Sequence, residues 1–236
     1  MAAVKFYFHD ATTTDTGTLP STKLSGQTAN VTATGASTNR AMTTSTGALQ
    51  ASAALTTLAQ TTAQRNWFRR YVSAPLAAQT IAAGTTSDSW LLALAGSESS
   101  TNSAPTFTCY LGVWRPSTGA LVGTIKDLTA NGISGLGVTT VAEQWLGPTA
   151  STDIGTTTAV TTQDGDILVI EIWAVNIQAM ATAYTNTLFY DGTTETSTTS
   201  AASYLQTPTA GVTFSGGVTR SFAIPARTPS NTLLRR

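Results

Sequence analysis

The sequence predicts an all-β protein: an antiparallel β-sandwich, jelly-roll-like, with extended segments at its N- and C-terminal ends. Three observations carry that expectation. Apolar, aromatic and β-branched runs of roughly 4–9 residues recur about every 10–20 residues, the rhythm of a sandwich. Gly, Pro, Asn and Asp cluster between these runs, and no run has a convincing helical apolar period. Threonine makes up about a fifth of the 236 residues, and its branched side chain fits a pleated surface better than a helix.

Val4 to His9 opens the chain as a strand, with Phe6, Tyr7 and Phe8 in succession. Thr12 to Thr62 then changes texture to Thr, Ala, Ser and Gly. Leu19, Leu24, Val31, Met42, Leu49, Leu55 and Leu58 are its sizeable apolar side chains. Ordering a backbone costs about 1–2 kcal/mol per residue, and so few large groups do not offset that in a separate core. The segment reads either as an extended arm lying on neighbouring chains or as a disordered linker. Within it, Ala48 to Gln64 alone tolerates a helix, and its Thr pairs weaken that reading.

From Asn66 onward the runs become strands. Asn66 to Ser73 alternates in part and stops before Pro75, which lacks a ladder donor. Gln79 to Ala82 is short and closed by Gly84; Ser87 to Ala95 holds Trp90, Leu91, Leu92 and Leu94. In Thr106 to Trp114, alternation sets Phe107, Cys109, Leu111 and Val113 on one face, Tyr110 and Trp114 on the other. Pro116 to Gly119 turns the chain into a returning strand, Leu121 to Ile125. Thr139 to Leu146 follows, then a turn at Asp164-Gly165-Asp166 and the strongest strand, Ile167 to Val175. That strand is apolar on both faces apart from Glu171, which predicts a central position covered on both sides. Ala183 to Tyr190 ends at Asp191-Gly192, after which the Thr/Ser texture returns. The expected organisation is an N-terminal strand and arm in 1–63, a sandwich core of roughly eight strands in 64–192, and a C-terminal segment in 193–236 that can complete the sandwich.

Composition narrows the function. Twelve Lys and Arg balance twelve Asp and Glu, and charged residues are 10% of the chain, against about 25% in a typical soluble domain. Zero net charge argues against a protein held on nucleic acid by phosphate contacts. One Cys makes no internal disulfide, and one His leaves little for His-based catalysis or a His-rich metal site. No window has the ~18 apolar residues of a membrane helix, and the N-terminus lacks the apolar core of a signal peptide. The expectation is a chain made in the cytoplasm with no membrane partner.

Candidate chemistry is sparse. His9-Asp10 has no Gly-x-Ser-x-Gly elbow to serve. Asp164 and Asp166 fit a turn better than a calcium loop, Glu171 lies mid-strand, and Glu98 and Glu143 stand alone. Cys109 sits in an apolar strand with no neighbouring base. No catalytic, cofactor-binding or metal-ligating residue is assigned, and no cofactor is expected. The candidate interface or ligand contacts are Trp67, Arg69, Arg70 and Tyr71 in the one basic-aromatic cluster, together with Trp114, Arg235 and Arg236. Strict alternation would set Arg69 with Trp67 and Tyr71, and Arg70 with Phe68. Such a surface suits sugar stacking, an acidic neighbouring subunit, or a strand edge whose arginines reach water.

Four stretches carry a resemblance: Lys5 to Ala11 (KFYFHDA), Trp67 to Gly84 around SAPLAAQTI, Tyr110 to Gly119 (YLGVWRPSTG) and Asp164 to Ile172 (DGDILVIEI). Together they resemble structural proteins of tailed bacteriophages. The resemblance implies a non-enzymatic virion component of capsid-cement, decoration, tail, neck or baseplate type. Its implied partners are major capsid or tail and neck subunits and further copies of itself, and its implied location is the virion. The matching motifs are strand and turn patterns, so no active-site residue follows from them. The rival expectation is a carbohydrate- or host-receptor-binding module, which would present Trp67, Trp114 or Trp145 to solvent.

Overall fold

The computed structural model describes residues 2–12, 19, 22–47, 49–59, 62–129, 136–146, 154–176, 180–195, 199–200 and 202–215. Fourteen strands are found there: β1 (Lys5–Thr12), β2 (Val31–Thr32), β3 (Asn39–Thr43), β4 (Ala51–Thr56), β5 (Gln64–Val72), β6 (Gln79–Ile81), β7 (Leu91–Glu98), β8 (Thr106–Arg115), β9 (Ala120–Asp127), β10 (Gln144–Leu146), β11 (Val160–Thr162), β12 (Ile167–Asn176), β13 (Thr185–Tyr190) and β14 (Tyr204–Gln206). The described residues contain no helix, and so none long and apolar enough to cross a membrane.

One large sheet runs in the order β4-β13-β7-β14-β1-β3-β5-β12-β8-β9, with β10 added beside β7 and β2 beside β5; β11 and β6 form a small second sheet. The large sheet folds over on itself, so that β7 and β13 face β5 and β8 across a common interior. Tyr190 of β13 meets Tyr71 of β5 edge to face at 5.8 Å. Gly96 of β7 lies so close to β8 that a Cβ there would come within 2.3 Å of the Phe107 ring. The sandwich-like all-β character is thus as expected.

The strongest strand behaves as its sequence predicts. β12 lies between β5 and β8 and is buried along its whole length. Leu168, Ile170 and Ile172 enter the main core. Ile167 and Val169 face the other way and pack with Val72 and Trp114 under Leu19 and Leu24. The β8–β9 hairpin turns at Gly119, whose φ of +63° suits a residue without Cβ. Asp164-Gly165-Asp166 is a turn with Gly165 at φ +89°.

The expected arm is the main correction. Its strands β2, β3 and β4 are built into the sheet of their own chain: β3 pairs with β1 and runs parallel to β5, β2 pairs parallel with β5, and β4 pairs with β13. The sheet is therefore mixed rather than purely antiparallel. The physical reason lies in β5. Eight of its nine positions are buried, and without β3 it would be an edge with unpaired backbone groups. Small residues are what fit there: Ala33, Ala36, Ala41, Met42, Ala53 and Leu55 are all buried. The described residues of the stretch Ala48 to Gln64 hold no helix: they contain all of β4 and the first residue of β5.

Candidate functional site

The basic-aromatic cluster of β5 is the first place to look, and it is turned inward. Trp67 is 3%, Arg69 8%, and Arg70 and Tyr71 0% exposed. The pairing of β5 with β12 slips between Ile172 and Trp173, so that Ile172 faces Arg69 and Trp173 faces Trp67, with Phe68 as the extra residue. The slip overturns the alternation expected for this strand. Arg70 falls on the same side as Trp67, its guanidinium 5.2 Å from the indole, while Trp67 stacks on Trp173 at 6.2 Å. Arg69 goes with Tyr71 and donates to the Thr34 carbonyl at 2.6 Å.

Arg70 and Glu171 form a fully buried ion pair, Nη2 to Oε1 at 2.7 Å and Nε to Oε1 at 3.2 Å. The stretch around residues 22–24 covers it. Arg70 Nη2 donates to the Thr22 carbonyl at 2.6 Å, and Leu24 N–H donates to Glu171 Oε1 at 2.9 Å. The arginines therefore do not reach water, and the cluster is a clamp between β5, β12 and a covering strap. Tyr71 stacks on Phe8 at 4.5 Å, and burial pushes its phenol well above the usual range. Trp114 is 6% exposed, beneath Leu19. Arg235 and Arg236 lie outside the described residues.

Most of the remaining titratable groups among the described residues are also engaged within the chain. His9 pairs with Asp191 instead of Asp10, Nδ1 to Oδ1 at 2.8 Å. Its Nε2 lies 2.9 Å from Thr43 Oγ1 and 3.0 Å from the Ser45 carbonyl. The order Asp191–His9–Thr43 resembles a relay to a hydroxyl. Thr43, however, is engaged by its own turn: its hydroxyl donates to the Ser45 carbonyl and accepts from the Ser45 N–H. Asp10 goes to Arg40 and to the Tyr190 hydroxyl. This set ties β1, β3 and the end of β13 together.

Asp166 accepts a bidentate bond from Arg115, both contacts 2.8 Å, and a third from Gln163 N–H. Burial alone would raise its carboxyl; the Arg115 and Gln163 bonds outweigh that and hold it below the usual range. Asp164 accepts from Ala78 N–H at 2.9 Å, as a turn residue does. Among the described residues no three His, Cys, Asp or Glu side chains come together as a metal set. Cys109 is buried, and desolvation, with Asp127 adding to it, pushes its thiol up to about 12, so it stays an unreactive thiol at neutral pH.

Two sets were not foreseen. Lys5 Nζ pairs with Glu195 Oε2 at 2.5 Å and lies 4.7 Å from the Tyr204 ring, while Tyr7 hydrogen-bonds Glu195. Burial would raise the Glu195 carboxyl, but the bonds from Lys5 and Tyr7 hold it low. Half-buried Trp145 leans on Tyr204 at 6.4 Å. Lys5 and Tyr7 stand two apart in a strand, so their common face was legible; Glu195, 188 residues from Tyr7, was not. At one end of the sandwich, Asn66, Asn176, Asn186 and Ser103 form a buried hydrogen-bonded set. Glu98 sits opposite Asn186 in the β7–β13 ladder, 2% exposed, with no hydrogen bond to either carboxylate oxygen.

No protein-family model matches the chain, and no curated protein matches its sequence.

Fully exposed charge is scarce among the described residues, although Lys5, Lys23, Arg65, Lys126 and Glu195 are among the charged residues that are half-buried. Among the described residues, the exposed charged side chains are Asp10, Asp127 and Asp164, and no lysine or arginine is exposed. Thr, Ser and Ala cover most of the rest.

Proposed function

We propose that this chain is a non-enzymatic structural protein of a bacteriophage virion, a capsid cement or decoration protein or a tail, neck or baseplate component. It works through contacts with capsid or tail subunits and with copies of itself. The observation that supports this reading best is the charge-poor, hydroxyl-rich surface of the described residues, on a chain of zero net charge. Among the described residues, most charged side chains that could steer a polyanion or polarise a substrate are engaged by contacts within the chain. A surface near zero net charge favours association over dispersal, and depletion of charge is a mark of the centre of protein interfaces. The resemblance to structural proteins of tailed phages adds the virion to that reading. Mass spectrometry of purified, genome-filled particles tests it. The chain should be present, in hundreds of copies for capsid decoration or in a ring-compatible number for tail or neck. Its absence from particles overturns the reading.

A second reading, a carbohydrate- or receptor-binding module, has Trp145 in its favour. Trp67, Trp90, Trp114 and Trp173 are buried, whereas Trp145 is half-buried beside Tyr204 and two residues from Glu143. Glycan-array binding abolished by Trp145→Ala would favour this second reading over the first.

A further inference from the structure

The two ends of the large sheet are treated differently. At the β9 end, Thr158 N–H donates to the Ile125 carbonyl and Val160 packs over Gly123, so the edge is partly covered by the small sheet. At the β4 end, β4 pairs among the described residues with β13 alone, on one side. The phase of that ladder follows from its next rung, where Thr57 N–H donates to the Tyr184 carbonyl at 2.8 Å. In an antiparallel pair the rungs alternate. Ala51, Ala53 and Leu55 therefore direct their backbone groups toward β13, and Ser52, Ala54 and Thr56 direct theirs away from it. The next outward position, Leu58, is capped within the chain: its N–H donates to Gln64 Oε1 at 3.0 Å, and Gln64 Nε2 donates to its carbonyl.

Edge strands are usually guarded by charge, proline, a bulge or extreme shortness. β4 has six residues, ASAALT, paired in continuous register, with no charge and no proline. Its outward side chains, Ser52, Ala54 and Thr56, are small and exposed. Leu49, 81% exposed, and Leu58, 47% exposed, stand at its two ends.

We propose that the β4 edge is a docking strand for a second copy of this chain, paired antiparallel about a two-fold axis at Ala54. That register is self-complementary. Ala54 meets Ala54 of the second copy, and Ser52 meets Thr56, so the outward N–H and C=O groups find partners; the Ser52 carbonyl also accepts, at 3.4 Å, from the Tyr190 hydroxyl of its own chain. No like charges are brought together. The same register sets Leu58 beside residue 50 of the second copy and Leu49 beside residue 59, covering the exposed leucines from both sides. The inference names a partner for the assembly role proposed above and rests on that reading for its purpose, though not for its geometry.

Sedimentation velocity on the full chain over a concentration series tests it. The wild type should reach twice the chain mass of 24.4 kDa. Ala54→Pro removes an N–H that points away from β13, and proline is tolerated at such edge positions; Ala54→Lys adds the missing charge. Each variant should weaken self-association by roughly tenfold or more while keeping a cooperative melt. A wild type that stays monomeric, or a dimer that both folded variants leave unchanged, overturns the proposal. A monomeric wild type whose incorporation into particles is blocked by Ala54→Lys also overturns it, by giving the edge to another virion protein. Dimerisation through β4 by a chain absent from particles leaves this inference standing and removes the virion role.

Discussion

Arg70 shows how one residue's meaning depends on a one-residue slip. Its neighbours in sequence suggest a basic-aromatic surface, yet the extra residue at Phe68 carries its guanidinium to Glu171 beneath the strap around residues 22–24. Burying a pair of this kind offsets desolvation only while both partners remain. Arg70→Met should destabilise the protein by about 3–5 kcal/mol, and adding Glu171→Leu should recover most of that loss; chemical denaturation of both variants checks it. Glu98 is the opposite case, a buried carboxylate without a hydrogen bond. Burial raises its carboxyl, and the nearby Ala104 N–H offsets only part of that. Such a group adds stability below the ordinary glutamate range and loses it as pH rises through the elevated value. Glu98→Gln should therefore raise stability near neutral pH by about 1 kcal/mol, with the gain shrinking toward acid pH. Melting curves from acid to neutral pH check the sign: an unchanged or lowered melting temperature at neutral pH would show that the charge is compensated.

At the scale of elements, legibility followed side-chain size. β8 and β12 were readable because long apolar residues repeat along them, and their burial and mutual pairing match that reading. The hairpin turn was readable from Pro116 to Gly119. β3 and β4 were not, because Ala and Thr give little contrast between a buried and an exposed position; Ala53 and Leu55 alternate with Ser52, Ala54 and Thr56 over only a few residues. The β5 slip was illegible for another reason: it answers to the register of β12, which local sequence does not contain. Ile170 tests the part that was legible. It is fully buried in the main core, so Ile170→Ala should cost about 2–5 kcal/mol. A loss below ~0.5 kcal/mol would place β12 at the periphery, since surface substitutions fall in that range.

For the whole molecule, the decisive question is whether the N-terminal quarter is an appendage or part of the fold. Its composition argues for an appendage, since residues 12–62 are too poor in large groups to build a core alone. The structure resolves this by lending the segment a core made elsewhere. β1 sits between β14 and β3, and β3 sits between β1 and β5. Phe6, Phe8, Met42 and Leu55 pack with Trp90, Leu92 and Tyr190 in the same interior. Removing residues 1–63 would take four strands out of the sheet, expose the buried edge of β5 and leave β14 paired only with β7. The loss of four large buried side chains alone amounts to roughly 2–5 kcal/mol each, in sum as large as the usual margin of about 5–15 kcal/mol. The chain beginning at Gln64 should therefore be unfolded or aggregated, lacking a cooperative thermal transition and near-ultraviolet dichroism. In the intact monomer, limited proteolysis should spare β1, β3 and β4 as well as it spares β8 and β12. A truncated protein that melts cooperatively close to the full-length temperature would return the segment to the status of an arm, free to be ordered by neighbours.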